Sequence, residues 1–265
     1  MNVGDINTHF ESFDNYIKDY ILFYEGGKIK QINGYGLDLE GELRLAISSK
    51  FAISVGVGYM SGKSESDFQT VGNFGFGDVW ITWTPTLYEF AIESKVQAIP
   101  VTLRISYTFP LSNKINFFLT GGLGCYFSKA HIFKYIQRTP LTGIWPDIDS
   151  IWNECDVKGN SIGFQGGIGF EYNVVKPIAL VLEVQGRQAR IRELKGKITY
   201  DELEEDEGIL FIGERDMTDE GFGEFYPDLI ISPTRPTGTE FRNIKKAVSD
   251  FSGISVRAGI RIKLF

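Results

Sequence analysis

The sequence predicts an all-β chain folded as an antiparallel up-and-down barrel, and three observations carry that expectation. Apolar and polar residues alternate with a period of two through most of the chain. Glycine and aromatics are abundant, with 30 Gly, 21 Phe and 12 Tyr in 265 residues, a balance that suits strands and turns. Compact turn-forming stretches such as Ser48-Ser49-Lys50 and Leu111-Ser112-Asn113-Lys114 join alternating segments in hairpin order.

A single helix comes first. In residues 5–24, Phe10, Phe13, Ile17, Tyr20, Ile21 and Tyr24 fall on one 3.6-residue stripe. After Gly26-Gly27 the period becomes two. Strands are expected at Tyr35–Ala46, Phe51–Met60, Ile99–Phe109, Ile115–Ser128, Asn160–Asn173, Ile178–Ile191 and Gly253–Leu264. Short connections follow residues 46, 109 and 173, and long ones follow residues 60, 128 and 191. The stretch from Arg192 to Asp250, acidic at Asp201–Glu207, reads as the longest loop. A closed antiparallel barrel needs an even strand number. Eight strands are therefore expected, the first supplied by residues 1–34 or by chain upstream. The organisation is then a helical segment over 1–34, acting as first loop or plug, and a barrel over 35–265. The start Met1-Asn2-Val3-Gly4 has neither the basic nor the apolar region of a signal peptide, so an internal or added start is expected.

Several function classes are excluded. With 27 Lys+Arg against 34 Asp+Glu and a net charge of -7, the chain has no electrostatic footprint for nucleic acid. Cys125 and Cys155 are too few for a disulfide framework and badly spaced for zinc, although one bridge between them stays open. No apolar run is long enough for a membrane helix, which leaves β-strands free to span.

Which face looks outward decides the rest. A soluble lipocalin-like barrel would turn its apolar faces inward. Here the polar faces carry Gly56, Gly58, Gly122, Gly124, Gly163, Gly167 and Gly169, and small residues make room inside a narrow barrel for large inward groups. On the apolar faces, aromatics gather at strand ends: Phe51 and Tyr59, Tyr107 and Phe109, Phe117 and Phe127, Phe170 and Tyr172. That is the girdle expected at two membrane–water interfaces. Short turns alternating with long loops agree. The apolar faces are expected to touch lipid.

The stretch Ile99-Pro100-Val101-Thr102-Leu103, the run Gly121-Gly122-Leu123-Gly124-Cys125-Tyr126-Phe127 and the ending Asp250–Phe265 resemble small bacterial outer-membrane β-barrel proteins of the OmpA/OmpW-like kind. The resemblance implies outer-membrane localisation, contact with membrane lipid and lipopolysaccharide, and insertion by the assembly machinery. The terminal Phe265 resembles the signal that machinery reads, but stands in phase with Arg261 and Lys263 rather than with Ile262 and Leu264.

Candidate chemistry is sparse. Asp38, Glu40, Glu42, Glu171 and Glu183 are placed to meet Arg44, Arg104, Arg187, Arg257 and Arg261 inside the barrel. A mutually satisfied ionic core is the expectation over an ion path, because unpaired buried charge is costly. His131, with Ser128 three residues earlier and Asp147, Asp149, Glu154 or Asp156 as orienting carboxylate, is a candidate for a lipid A-modifying enzyme. His9 has no partner that the sequence identifies. The acidic stretch lacks calcium-loop spacing, and neither a metal nor a cofactor is expected. Trp80, Trp83, Trp145 and Trp152 suit either interfacial anchoring or a small hydrophobic ligand. The expected role is therefore non-enzymatic: structural, or the binding or passage of a small apolar molecule through a filled barrel.

Overall fold

The computed structural model describes residues 5–20, 37–74, 84–140, 149–200, 204–216 and 226–262. One helix, α1 (Asp5–Tyr20), precedes β1 (Leu37–Ala46), β2 (Phe51–Phe74), β3 (Thr84–Pro110), β4 (Ile115–Pro140), β5 (Asp149–Val175) and β6 (Ile178–Gln188). Then come β7 (Arg190–Ile191), β8 (Lys195–Tyr200), β9 (Glu204–Arg215), β10 (Tyr226–Ser232), β11 (Phe241–Lys246), β12 (Ser249–Asp250) and β13 (Gly253–Ile262). Every pairing is antiparallel.

The two short turns of serine-lysine type close by one device. Ser48 Oγ accepts from the Lys50 and Phe51 amides at 3.3 and 3.0 Å. Ser112 Oγ accepts from the Lys114 and Ile115 amides at 3.3 and 3.1 Å. Both turns therefore satisfy their own backbone donors locally.

Two walls share the long strands β2–β5. The lower wall runs β1-β2-β3-β4-β5-β6-β13. The upper wall uses the far ends of β2–β5 and continues β5-β8-β9-β10, with β11 also on β9. β5 makes the switch: residues 164–175 pair with β6, and residues 153–158 pair with β8. The sheet curls on itself, because Asp38 on β1 reaches Arg187 on β6 at 3.2 Å and Arg257 on β13 at 3.0 Å. β1 and β13 run in the same direction and are not paired with each other among the described residues.

Several expectations need correction. Thirteen strands are present among the described residues, not eight. Residues 61–74 and 84–98 are strand rather than loop, as are 129–140 and 149–159. Most of the supposed loop from Arg192 to Asp250 forms β8–β12. Glu205 and Glu207 belong to β9 and not to a solvated loop. The reason is an inversion of environment. In the lower part of β3, odd residues point outward and are apolar (Ile99, Val101, Leu103, Ile105), while Thr102 and Arg104 are buried. From Ala98 upward the buried residues are still even-numbered, but apart from Ser94 they are now apolar: Phe90, Ile92, Val96 and Ala98. The hydrophobic pattern slips by one residue while the backbone register against β4 continues unbroken from Thr86 to Pro110. A reading that follows the apolar parity stops where the chain does not.

Candidate functional site

The lower interior is an ionic ladder. Five carboxylates meet five guanidinium groups there. Arg104 bonds both Glu40 and Glu42 and lies 3.7 Å from Glu183. Arg257 bonds Glu40 and Asp38. Arg261 bonds Glu171, which is 4.0 Å from Arg44. Thr120 donates to Glu183 at 2.8 Å, and Arg44 donates to Thr108 at 3.1 Å. Every residue expected in the interior charge network is brought together. The sequence could list them because the lower strands keep one parity throughout.

The ladder ends at a waist. Tyr126 is fully buried, and its hydroxyl bonds Gln165 at 3.3 Å. Its ring lies over the cross-strand pair Gly124 and Gly163, where a Cβ on either residue would sit 2.9 Å from the ring. Glycine is required there by close approach. Ile191 of β7, with Ala189, Leu194 and Phe251 from the connections beside β7 and β12, completes the layer, and all four are buried. Arg187 ties it downward, donating to the Phe251 carbonyl at 2.8 Å.

Above the waist lies an apolar chamber closed by α1. Phe10 and Phe13 pack among Ile92, Ile132, Ile198 and Leu229. Phe13 also meets Phe90 edge-on at 6.4 Å. His9 stacks on Phe13 and is buried. Burial, helped by the nearby Lys134 ammonium, pulls the His9 imidazole down to about 3. Burial also pulls Lys134 down to about 8, against the opposing pull of Asp228. The Lys134 ammonium lies 4.7 Å from the Phe13 ring centroid. His9 Nδ1 and Asn153 Oδ1 are buried without hydrogen-bond partners, and both residues line a cavity of about 10 Å³, room for about one water. Sequence reasoning missed this group. The helical stripe signalled Phe10 and Phe13, but nothing local marks Lys134 or Asp228 as inward.

The remaining candidates are placed as follows. Phe51, Tyr107, Phe109, Phe117 and Phe170 form a continuous band at the short-turn rim, with successive centroids 4.7, 4.5, 5.8 and 5.4 Å apart. Tyr172 stands on the same rim, exposed. Tyr59 and Phe127 lie at the other end of the apolar faces, with Tyr59 bonded to Gln97. Ser128 is buried on the inner face, and His131 lies on the outer one beside Asp156 and Glu154. Three residues apart on one strand, they leave by opposite faces and cannot form a nucleophile–base pair. Cys125 is exposed, Cys155 is buried, and both are free thiols; burial pushes the Cys155 thiol up to about 12. Trp152 meets Phe133 on the outer face, ring centroids 6.4 Å apart. Trp80, Trp83, Trp145, Asp201 and Phe265 lie outside the described residues.

One comparison decides what surrounds the lower wall. Leu103, Ile105, Leu180 and Leu182 are each 50–58% exposed, while Arg104 and Glu183 are 4% and 8% exposed. Water would reverse that order, whereas lipid demands it. The soluble lipocalin-like alternative puts apolar residues at the centre and does not fit. The family model described as "Outer membrane protein beta-barrel domain" matches residues 3–207. The chain belongs to this outer-membrane β-barrel family. Its site is the bacterial outer membrane. Searches of curated proteins and of solved structures return no match. Within this outer-membrane β-barrel, the family match runs from α1 into β9, and β10–β13 lie beyond it.

Proposed function

We propose that this outer-membrane barrel is a non-enzymatic, non-conducting protein whose upper chamber binds a small apolar molecule. The carrying observation is the inversion of the inner face at Tyr126: ionic and filled below, aliphatic and closed by α1 above. A mostly apolar enclosure with a few convergent polar groups is the usual form of a small-molecule site. Here those groups are the His9 imidazole, the Asn153 amide oxygen and the Lys134 ammonium. The ligand takes the volume held by the Phe10 and Phe13 rings as α1 yields. The ionic ladder acts as a fixed, mutually neutralised core, and the aromatic bands anchor the barrel at the two lipid interfaces, in contact with lipopolysaccharide. Assembly follows the outer-membrane insertion route. An eighth wall strand, antiparallel to both neighbours, fits between β1 and β13; their common direction supports it.

Titration of detergent-purified protein with a naphthylamine fluorophore tests the chamber. Saturable binding at one site is expected, stronger in Phe13→Ala, as vacated apolar volume admits apolar ligands, and abolished in Ile132→Trp. Binding unchanged in both variants would reject the chamber. In a planar bilayer the barrel gives no stable conductance steps; large ones would reject the filled interior.

A further inference from the structure

We propose that His131, Glu154 and Asp156 form a binding site for one divalent transition ion of the zinc class on the outer surface of the upper wall. His131 on β4 directly faces Asp156 on β5, and Glu154 is the next outward residue of β5. Paired strands hold such neighbours at fixed spacing. His131 Nδ1 lies 3.4 Å from Asp156 Oδ1 and 3.7 Å from Glu154 Oε1. All three donor atoms fall within 4.8 Å of one another. Bonds of about 2.0–2.2 Å to zinc place neighbouring tetrahedral donors about 3.4 Å apart, so a small turn of the Glu154 side chain completes three corners. The fourth corner faces outward, open to water or an external donor.

Two further observations point to a cation. Asp156 Oδ1 is shielded from solvent yet has no hydrogen-bond partner. Among the described residues its charge partner is Lys129, an ion pair at 3.5 Å without a hydrogen bond, while Lys197, opposite Asp156 on β8, is held by Glu205 at 3.1 Å. An ion would meet two carboxylates and a neutral imidazole, with Lys129 as its competitor. Imidazole with carboxylates favours zinc, cobalt or nickel over calcium and magnesium. The sequence grouped His131 with these carboxylates only as part of a catalytic candidate; the β4–β5 register, which joins segments more than twenty residues apart, sets the three side chains on one outer face. The site lies on the opposite face of the wall from the chamber, so its test is independent of that reading.

The test is calorimetric titration of untagged, detergent-folded protein with Zn²⁺, alongside the visible absorption of Co²⁺. One ion per chain is expected, with a tetrahedral-type cobalt spectrum. His131→Ala and Asp156→Asn weaken binding about tenfold or more, and a hundredfold excess of Ca²⁺ does not displace the ion. Lys129→Met keeps all three ligands and tightens binding severalfold, which preserves the test if a ligand variant fails to fold. Absence of saturable binding, indifference to His131→Ala, displacement by Ca²⁺, or no tightening in Lys129→Met would each overturn the proposal.

Discussion

Lower and upper β3 are one strand in one register, yet they solve opposite problems. Around Leu103 and Ile105 the solvent outside is hydrocarbon, so apolar side chains stand exposed and Arg104 is enclosed with its carboxylates. Around Lys95 and Glu93 the outer face is polar, Lys63 lies 3.1 Å from Glu93, and Val96 and Ile92 are buried. Backbone geometry is the same at both heights. The surrounding medium alone decides which face is apolar.

The largest effect that breaks this contrast is expected at Arg104. Its removal in Arg104→Ala leaves Glu40, Glu42 and Glu183 short of a partner in an enclosed interior, a loss of about 3–5 kcal/mol. Urea unfolding from lipid vesicles measures it. Arg242→Ala, which breaks an exposed pair with Glu214 on the upper wall, leaves the same midpoint close to unchanged. Next comes the outer face. Leu103→Arg puts a charge into hydrocarbon at a cost of about 2–4 kcal/mol, whereas Gln97→Arg, just above the apolar band, is tolerated in the same assay.

Acid sharpens the comparison from the chamber side. The His9 imidazole binds its proton more weakly in the folded chain, near 3, than unfolded, near 6.5. The unfolded state therefore takes up more protons between those limits, and docking of α1 weakens as pH falls from about 6.5 towards 3. By pH 5 the loss is about 2 kcal/mol. Limited proteolysis of α1 across pH reads it, and His9→Phe removes that component. The smallest effect is expected at Lys197→Ala, which breaks an exposed pair with Glu205 and leaves thermal unfolding unchanged.

Much of the lower wall was legible. Strand positions, inward charges and the lipid-facing leucines follow from a two-residue period and from glycine on the polar side. Phe10 and Phe13 were legible as a helical stripe. The upper wall was not, because residues 61–67 are polar on both faces and the apolar parity reverses at Ala98. Strand continuity depends on neighbours in the sheet, which no local window contains. Ser128 and His131 illustrate the reverse error: proximity along the chain suggested contact, and strand geometry sends them to opposite sides.

The amino-acid order by itself determined an alternating, glycine-lined, aromatic-banded lower wall, because lipid outside and charge inside leave a periodic trace in every strand. Only the tertiary structure decided how far β2–β5 rise, that β8–β11 extend their upper ends, and that α1 closes the chamber. It also set His131 beside Asp156. These outcomes depend on pairings between distant segments, and hydrogen-bonded register carries no signature in local hydrophobicity.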